Sequence, residues 1–593
     1  MRAQLFDVVA MTGRWAHARP DAAACRIDGR RGAETLTYAG LEDLIGRTAA
    51  ALERAGVGAG TTAAVMVPPG RELVALIMAL LRLRAVPVLV DPGLDARAIG
   101  ACLAEAAPQA FIGVPRAHLA RVLLGWARGS VRTTITVGTR PLWLARATSR
   151  PAPLWHARTA PGRPAPRPAP RSAARSAAHP AAHPAAHPAA HPAAHPAAHP
   201  AAHPAPGGED LALVAFTSGS TGAPKGVPFR HRHLAGQTGL LAHLGGLAPG
   251  ATVYSTFLPF AIAAPSLGCV SVIPRLDPRR PDRADPAVMA ESIRAHRVTA
   301  LFAAPALLDR LARHCAARGL RLDTVETVLT AGAPLPHEVL RRALRCLPEH
   351  ARVLSVYGAT ECLLVSAADA AELAATAAAT AGGAGTCLGS PLPGNRVRLV
   401  TVTDEPVPRW SDDLLVPPGT VGEITVAGPA VSDPYLGRPD DTGLARIDDA
   451  GTPVHRMGDL GWQDDQGRLW FAGRKSERVR TAGGDLYTDR IEPVLNGLPG
   501  VRRTALVGVG PAGRQRAVLC VECEPGASRR ERRETVERVR AHAPATVAEV
   551  LPHPGFPMDV RHASKIRRSL LSRWATRKLE RPRAAREPEE GGR

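Results

Sequence analysis

The chain has 593 residues, more than one hydrophobic core usually supports, so the sequence predicts two or more domains. Its formal net charge of +21 would suit nucleic acid or an anionic membrane as a partner. Much of that charge, however, lies in two segments: residues 150–206 hold six arginines without an acid, and residues 561–593 hold eleven basic and four acidic residues. The rest of the chain has no basic stripe interleaved with aromatic side chains, so we expect no nucleic-acid partner.

Cysteine use and hydropathy favour a cytoplasmic protein. The nine cysteines are scattered, and the single C-x-x-C pair, Cys520 and Cys523, lies in an alternating strand-like run without a second ligand pair. We therefore expect reduced thiols and no zinc site. Because no apolar run is long enough to span a bilayer, we expect no transmembrane segment.

The first 140 residues alternate helical and strand patterns. Apolar residues at helical spacing predict helices over residues 38–55 and 72–83, and short apolar runs predict strands over residues 62–67 and 85–90. This βαβ order predicts a parallel sheet covered on both faces by helices. Such sheets bind ligands at the carboxyl ends of their strands.

The α/β pattern stops at residues 150–208, which are rich in Pro, Ala and His. Seven consecutive AAHP units place a histidine at every fourth position. Proline at the same spacing excludes a helix, so we expect a disordered insert. The histidines could bind a metal weakly, but nothing fixes them in one geometry.

The pattern resumes with a strand over residues 211–216 and the string FTSGSTGAPKGV over residues 216–227. Glycines free backbone N–H groups to point into one concavity, hydroxyls add donors, and Lys225 adds a positive charge. The residues that this loop offers to a phosphate are Thr217, Ser218, Gly219, Ser220, Thr221, Gly222 and Lys225. The string lacks the GxxxxGK[ST] spacing of the common nucleoside-triphosphate loop, and a Gly/Ser-rich turn alone is most often only a turn.

Lysine is scarce in this chain. Of the basic residues, 70 are arginine and four are lysine, namely Lys225, Lys475, Lys565 and Lys578. When nearly every surface cation is arginine, lysine is enriched where a compact ammonium is needed. This favours a functional role for Lys225, whereas chance survival remains the simpler interpretation for Lys578.

The α/β pattern continues to about residue 391 and then gives way to short strands and turns, which predict a distorted barrel-like subdomain. The predicted helices span residues 286–296, 306–317 and 337–346. The predicted strands span residues 298–303, 325–329 and 353–356. A smaller unit begins near residue 501, and we place the domain boundary within residues 473–484.

Two strings follow predicted strands and offer groups that a nucleotide could use. TAGAPL would let a purine approach the backbone at Gly332, Ala333 and Pro334. In YGATE, the Tyr357 ring can stack, the Thr360 hydroxyl can bind phosphate and the Glu361 carboxylate can bind Mg²⁺. Gly358 follows the tyrosine. Each string by itself is more often structural.

Two later strings carry a carboxylate and a guanidinium. Asp459 in RMGDLG could accept both hydrogen bonds of a ribose diol. Arg474 in GRKSERV could reach the same sugar or a phosphate. The structural alternatives are an aspartate in a tight turn and an arginine in a surface ion pair.

The succession of these strings resembles the adenylate-forming superfamily of AMP-binding enzymes, which includes acyl-CoA synthetases and luciferases, over residues 36–570. The resemblance implies an α/β fold with a large N-terminal domain over residues 1–475, built of parallel sheets, helices and a distorted barrel. A small, mobile α+β domain would span residues 476–570, and a basic tail residues 571–593. ATP and Mg²⁺ are the implied cofactors.

The resemblance also implies roles for single residues. Lys225 and the loop hydroxyls would bind phosphates, and Thr217 and Glu361 would hold Mg²⁺. Adenine would lie against residues 332–334 and Tyr357, and the ribose against Asp459 and Arg474. Lys565, in RHASKIRRSL, matches the catalytic lysine that the small domain carries in this family. The family usually has Asp or Lys two residues after the motif arginine, where this chain has Ser476, so the hinge chemistry stays open.

Three local strings narrow the choice within the superfamily. FRHRHL at residues 229–234, the run at residues 473–494 and FPMDVRHASKI at residues 556–566 resemble the β-lactone synthetases of bacterial olefin biosynthesis. That resemblance implies a β-hydroxy fatty acid that is activated as its adenylate with release of pyrophosphate, after which its own hydroxyl closes a β-lactone and releases AMP. Enzymes of a lipid or olefin pathway are then candidate partners.

Two other functions remain open. A fatty acyl-CoA ligase would pass the same adenylate to coenzyme A, and the sequence neither identifies nor excludes a coenzyme A site. A non-catalytic nucleotide-binding protein would have no need of Lys225, Glu361, Asp459 and Lys565 together. In each case the apolar, small-residue segments 258–268 and 362–366 are the predicted acyl pocket.

Overall fold

The computed structural model describes residues 7–29, 32–138, 155–159, 205–217, 223–277, 279–280, 283–558 and 566–580. Three predictions lie outside the described residues. They concern residues 218–222 of the glycine-rich loop, the AAHP repeat, and Lys565.

The N-terminal part of the chain forms a mainly parallel sheet of seven strands within the described residues. In spatial order its strands are Trp155–Thr159, Thr133–Val137, Ala110–Gly113, Thr62–Met66, Val86–Leu89, Leu211–Phe216 and Gly226–Arg230. Its helices are Val8–Ala18, Tyr38–Arg54, Arg71–Arg82, Ala96–Ala106, Pro115–Leu124 and His231–His243. The first and last strands of this order pair antiparallel to their neighbours.

The two long predicted helices form because local signals and burial agree. Thr37 caps the helix Tyr38–Arg54 by accepting a hydrogen bond from the Gly40 N–H at 3.1 Å, and the helix ends before Gly56, whose φ is +79°. The helix Arg71–Arg82 is apolar all round and buries residues 73–81, as expected for a helix enclosed by protein.

The second sheet is larger and continues through a parallel part into an antiparallel part. The parallel strands are Ala23–Gly29, Val270–Ile273, Thr252–Ser255, Ala300–Phe302, Thr327–Ala331 and Arg352–Ala359, with Gly32–Thr37 antiparallel at the edge. The antiparallel strands are Cys362–Asp369, Thr386–Pro391, Leu469–Arg474, Thr452–Gln463, Gly422–Ala427, Arg396–Val400 and Arg446–Asp449. The α/β fold class that the sequence predicts is thereby confirmed.

Helices and short turns cover this second sheet. The α-helices are Leu258–Ala263, Pro286–Ala295, Pro305–Arg318, His337–Cys346, Ala370–Ala381 and Pro439–Ala445. The 3-10 turns are Ala264–Leu267, Asp412–Leu414 and Lys475–Glu477. The predicted elements exist with ends shifted by up to three residues, and the strand predicted over residues 298–303 is shorter, at Ala300–Phe302.

The C-terminal unit has a three-stranded sheet, Val501–Val509, Arg516–Cys523 and Glu549–Pro552, and a hairpin, Val479–Thr481 with Gly484–Leu486. Its helices are Thr488–Asn496, Arg529–His542 and Arg568–Glu580. We expected residues 571–580 to belong to a basic tail, but the last helix extends into them. It packs there because Leu571 and Ala575 are fully buried against the sheet. Likewise the strand Trp155–Thr159 lies inside the predicted insert.

A buried charge cluster fixes the last helix to this unit. The Arg568 guanidinium donates to both carboxylate oxygens of Glu492, at 2.5 and 2.8 Å, and to Glu477 at 2.9 Å. Asp489 lies in the same cluster, and burial, reinforced by the charge of Glu492, raises its pKa to about 7. An aspartic acid of this kind binds its proton more tightly in the folded than in the unfolded chain.

We expect Asp489 to make stability fall as pH rises. Its ordinary pKa of 3.8 applies to the unfolded chain, so between about pH 4 and 7 the folded chain binds more protons, and the free energy of unfolding decreases over that window. The variant Asp489→Asn should lose much of this decrease and melt at a higher temperature than the parent at pH 8. Thermal unfolding at several pH values between 4.5 and 8 measures this.

The exposed Asp465→Asn variant is the matched control, and its melting curve should follow that of the parent at every pH. A parallel pH dependence of the parent and Asp489→Asn would contradict the assignment.

Candidate functional site

The glycine-rich loop is closed by two hydrogen bonds at its base. The strands Leu211–Phe216 and Gly226–Arg230 pair antiparallel, and the loop joins them. The Thr217 N–H donates to the Lys225 carbonyl at 3.0 Å, and the Lys225 N–H donates to the Thr217 hydroxyl at 3.2 Å. Two of the predicted phosphate ligands therefore face each other across the ends of the loop.

Acidic and basic side chains lie beneath this loop. The Lys225 ammonium lies 2.7 Å from the Asp441 carboxylate. Arg438 donates to Glu105 at 2.6 and 2.8 Å and to the Pro224 carbonyl at 3.2 Å. Burial opposes ionisation of Asp441, but the hydrogen bonds and charges of Lys225 and Arg438 together outweigh it and lower the pKa of that carboxyl.

Tyr435 connects the loop lysine with the predicted magnesium ligand. Its hydroxyl donates to Glu361 at 2.6 Å, and its ring centroid lies 4.9 Å from the Lys225 ammonium. The Ser432 N–H also donates to the Glu361 carbonyl at 2.9 Å. Lys225 and Glu361, which are distant in sequence, thus contact the same tyrosine, one at its ring and the other at its hydroxyl.

The predicted ribose residues lie on neighbouring strands. Asp459 and Arg474 are directly opposite in register, and the Arg474 Nε lies 3.2 Å from the Asp459 carboxylate. The Tyr357 hydroxyl donates to the other carboxylate oxygen of Asp459 at 2.7 Å. Burial, together with the charge of Asp459, raises the pKa of Tyr357 well above its usual range, so this phenol stays neutral and acts as a donor.

The remaining predicted adenine and phosphate residues lie at the carboxyl ends of two parallel strands. Ala331 pairs with Val356, so the TAGAPL string leaves the sheet beside residues 357–359, which end the neighbouring strand. Gly332 has a φ of +91°, a conformation that favours glycine. At Gly358 an added Cβ would meet the backbone of the returning strand at 2.9 Å. Thr360 and Glu361 form the turn of this hairpin.

A buried ion cluster sets the register of the ribose strands. The side chains of Glu423 and Arg456 are both fully buried, with 2.6 Å between Glu423 Oε2 and Arg456 Nη2. Lys475 binds the other oxygen of Glu423 at 2.9 Å. The scarce lysine Lys475 therefore has a structural partner in this molecule.

Three residues that contact the site carried no clear signal in the sequence. Tyr435 lies in the region after residue 391, for which the sequence predicted only short strands and turns, and Asp441 is one acid among many. Arg446 donates to the Ser432 hydroxyl at 2.8 Å and to the Asp433 carbonyl at 3.1 Å. Burial lowers its pKa, and within the described residues its Nε and Nη1 have no hydrogen-bond partner.

The chain next to Lys565 is well ordered by contacts. Ile566 forms an antiparallel bridge with Met558, and the Arg567 N–H donates to the Pro557 carbonyl at 2.8 Å. Arg568 belongs to the buried cluster with Glu477 and Glu492. The predicted catalytic lysine thus precedes a fixed segment of the C-terminal unit.

The predicted acyl segment 258–268 borders a small, enclosed apolar cavity. Phe260 forms one wall, and its ring centroid lies 5.2 Å from that of Phe257 and 4.7 Å from that of Phe302. The cavity volume is about 10 Å³, roughly that of one water molecule. An alkyl chain would enter this space only if the aromatic side chains moved.

Two further findings hold for the part of the chain that the structure describes. There, no group of three or more His, Cys, Asp or Glu side chains could hold a metal ion. No helix among those residues combines the length and the apolar character needed to cross a membrane.

Comparisons with known proteins place the chain among characterised relatives. The model of the AMP-binding enzyme family matches residues 13–436. The olefin β-lactone synthetase of Stenotrophomonas maltophilia is 44% identical, with 97% of this chain and 99% of that protein covered. The olefin β-lactone synthetase of Xanthomonas campestris is 42% identical, with 96% and 98% covered.

The fold has solved counterparts as well. The ATP-bound MatB structure from Rhodopseudomonas palustris aligns with a TM-score of 0.71 at 20% identity and covers 97% of this chain and all of that one. The family match, the two relatives and this fold agree with the order of motifs in the sequence. The chain belongs to the AMP-binding family of adenylate-forming enzymes.

Proposed function

We propose that the protein activates a β-hydroxy fatty acid with ATP and closes it to a β-lactone. The observation that carries the proposal is the convergence of Lys225, Tyr435 and Glu361 on one side and of Tyr357, Asp459 and Arg474 on the other. The first set suits phosphates and a divalent cation, and the second suits a nucleoside. The names of the two olefin β-lactone synthetases support the choice of acid and product.

The side chains fit a magnesium nucleotide. Thr217 and Glu361 offer hard oxygen ligands, which Mg²⁺ prefers together with phosphate oxygens and water. Bound there, the ion would neutralise charge on the phosphates. The Lys225 ammonium supplies a further positive charge, and Asp459 offers carboxylate oxygens to the ribose hydroxyls. Residues 218–222 would add N–H and hydroxyl donors.

The first step is adenylation. A carboxylate oxygen of the acid attacks the α-phosphorus of ATP, the bond to the β-phosphate oxygen breaks, and pyrophosphate leaves. Lys565 would place its ammonium at the charge that develops on the bridging oxygen, which is electrostatic stabilisation of the transition state. We propose residues 476–570 as the small domain that carries this lysine to the site.

The second step is ring closure. The β-hydroxyl oxygen attacks the acyl carbon and gives up its proton, the bond to the AMP oxygen breaks, and a four-membered lactone forms. Because nucleophile and electrophile belong to one molecule, the effective concentration of the hydroxyl is high without an external acceptor. The acyl chain would occupy the space beside Phe260 once that ring rotates away from Phe302.

The product distribution tests the choice of acceptor. Incubation of the protein with ATP, Mg²⁺ and a β-hydroxy fatty acid should yield AMP, pyrophosphate and the β-lactone at the same rate with or without coenzyme A. Mass spectrometry of the lipid products measures this. Product formed solely as a thioester would instead establish the fatty acyl-CoA ligase, and nucleotide binding without turnover would establish a non-catalytic protein.

Substitution of the C-terminal lysine tests the adenylation step. We expect Lys565→Ala to lower the rate of pyrophosphate release by about 10²- to 10³-fold, because the ammonium acts on the transition state. Binding of ATP should change little. Lys578→Ala, which removes the scarce lysine of the last helix, is the matched control and should leave the rate unchanged. An unchanged rate in Lys565→Ala would remove this lysine from the mechanism.

Substitution of Asp441 tests the ion pair of the loop lysine. Asp441 holds the Lys225 ammonium in the free protein, so ATP has to replace that contact. Because the pair is about one third exposed, we expect Asp441→Asn to lower KM for ATP by about two- to fivefold while kcat stays the same.

The adjacent, exposed Asp440→Asn is the control and should not change KM. A higher KM in Asp441→Asn would mean that Asp441 positions Lys225 for ATP rather than competing with it.

A further inference from the structure

The outer surface of the helix Pro115–Leu124 exposes a group of apolar side chains. Their exposed fractions are 60% for Leu119, 58% for Val122, 71% for Leu123 and 52% for Leu124. Among the described residues, seven large apolar side chains are exposed, and four of them belong to this helix. We name these four residues the leucine face. Clusters of this kind are uncommon on soluble surfaces and mark places of interaction.

The small and polar side chains of the helix face the protein, with Ala117 and Ala120 packed against the core, and its leucines lie outside. His118 bonds the Ile135 carbonyl at 3.0 Å and packs edge-on against Phe111, with 5.2 Å between ring centroids. The Arg121 guanidinium lies 5.6 Å from the centroid of the same Phe111 ring. No residue of the helix is fully buried. The leucine face therefore does not belong to the core.

The sequence around the leucine face is basic. Residues 106–138 contain four arginines and neither Asp nor Glu. Arg116, Arg128 and Arg132 are exposed. Arg116, Leu119 and Leu123 are three and four residues apart along the helix, so they lie on one side of it. An arginine and two leucines thus point in a common direction.

We propose that the leucine face docks this protein onto a bilayer surface that carries anionic phospholipids. Leucines would enter the boundary between headgroups and acyl chains, and the nearby arginines would be attracted to the anionic headgroups. A second copy of the chain would instead bring arginines against arginines. Nucleic acid would pair with the arginines but would leave the leucines without a partner.

The position of the leucine face is compatible with catalysis at the bilayer. The helix packs against the strands Ala110–Gly113 and Thr133–Val137, whereas the glycine-rich loop joins the last two strands at the other end of that sheet. Docking would therefore leave the loop uncovered. The proposal does not depend on which product the adenylate gives.

Vesicle flotation with the full chain tests the proposal. We expect binding to vesicles of phosphatidylglycerol and phosphatidylcholine, little binding to phosphatidylcholine alone, and weaker binding at high salt. The double variant Leu119→Glu/Leu123→Glu should lose binding by at least about tenfold, because it removes apolar area and adds like charge to the lipids. Its melting temperature and its ATP-dependent pyrophosphate release in solution should stay those of the parent.

The matched control is Leu344→Glu/Leu444→Glu, which alters two exposed leucines elsewhere, at 39% and 41% exposure. It should float like the parent. Equal flotation of the leucine-face variant and the parent would overturn the proposal, and so would binding independent of lipid charge. A parent that does not float but dimerises through this face, as seen by sedimentation velocity of parent and variant, would replace the bilayer with a second copy.

Discussion

The nucleotide end of the site depends on one buried carboxylate. Glu423 lies in the interior between two cations, and a charge in that position is tolerated only when it is paired on more than one side. Arg456 is three residues before Asp459 on one strand, and Lys475 directly follows Arg474 on the next. Arg456 and Lys475 both reach Glu423 in the register that their two strands adopt. The same register places Asp459 opposite Arg474.

The loop end of the site follows a different rule, because its charges are partly open to water. Lys225, Asp441 and Arg438 form a chain of ion pairs that can exchange partners at small cost. Tyr435 is the rigid member, since its ring and hydroxyl contact both the lysine and Glu361. The nucleoside region is therefore held by buried pairs, while the phosphate region keeps adaptable ones.

The sequence predicts those parts of the structure that depend on local order. The motif residues lie in or beside strands: Lys225 directly precedes the strand Gly226–Arg230, Tyr357 lies near the carboxyl end of Arg352–Ala359, and Asp459 lies within Thr452–Gln463. The helix His337–Cys346 agrees with its prediction because its apolar spacing is strong. The order of the motifs was sufficient to indicate the family.

Contacts between distant segments could not be predicted in this way. Tyr435, Asp441 and Arg446 lie in a loop, a short helix and the start of a strand, whose positions depend on contacts with other strands. The strand Cys362–Asp369 was not predicted, because its apolar first residues also suit the wall of an acyl pocket, to which we assigned residues 362–366. The last helix was not predicted, because its many arginines hide the apolar pattern in the sequence. The two residues that the helix buries are Leu571 and Ala575.

The strand order of the first sheet has a consequence for chain length. Trp155–Thr159 lies at one edge, and Leu211–Phe216 lies five strand positions away, so the connection has to cross about 24 Å. About eight extended residues would cover that distance, whereas residues 160–204 number 45. The connection between the two strands therefore needs only a small part of this stretch, and the fold does not fix the length of the rest. Repeat units there can be gained or lost during replication without shifting a single strand.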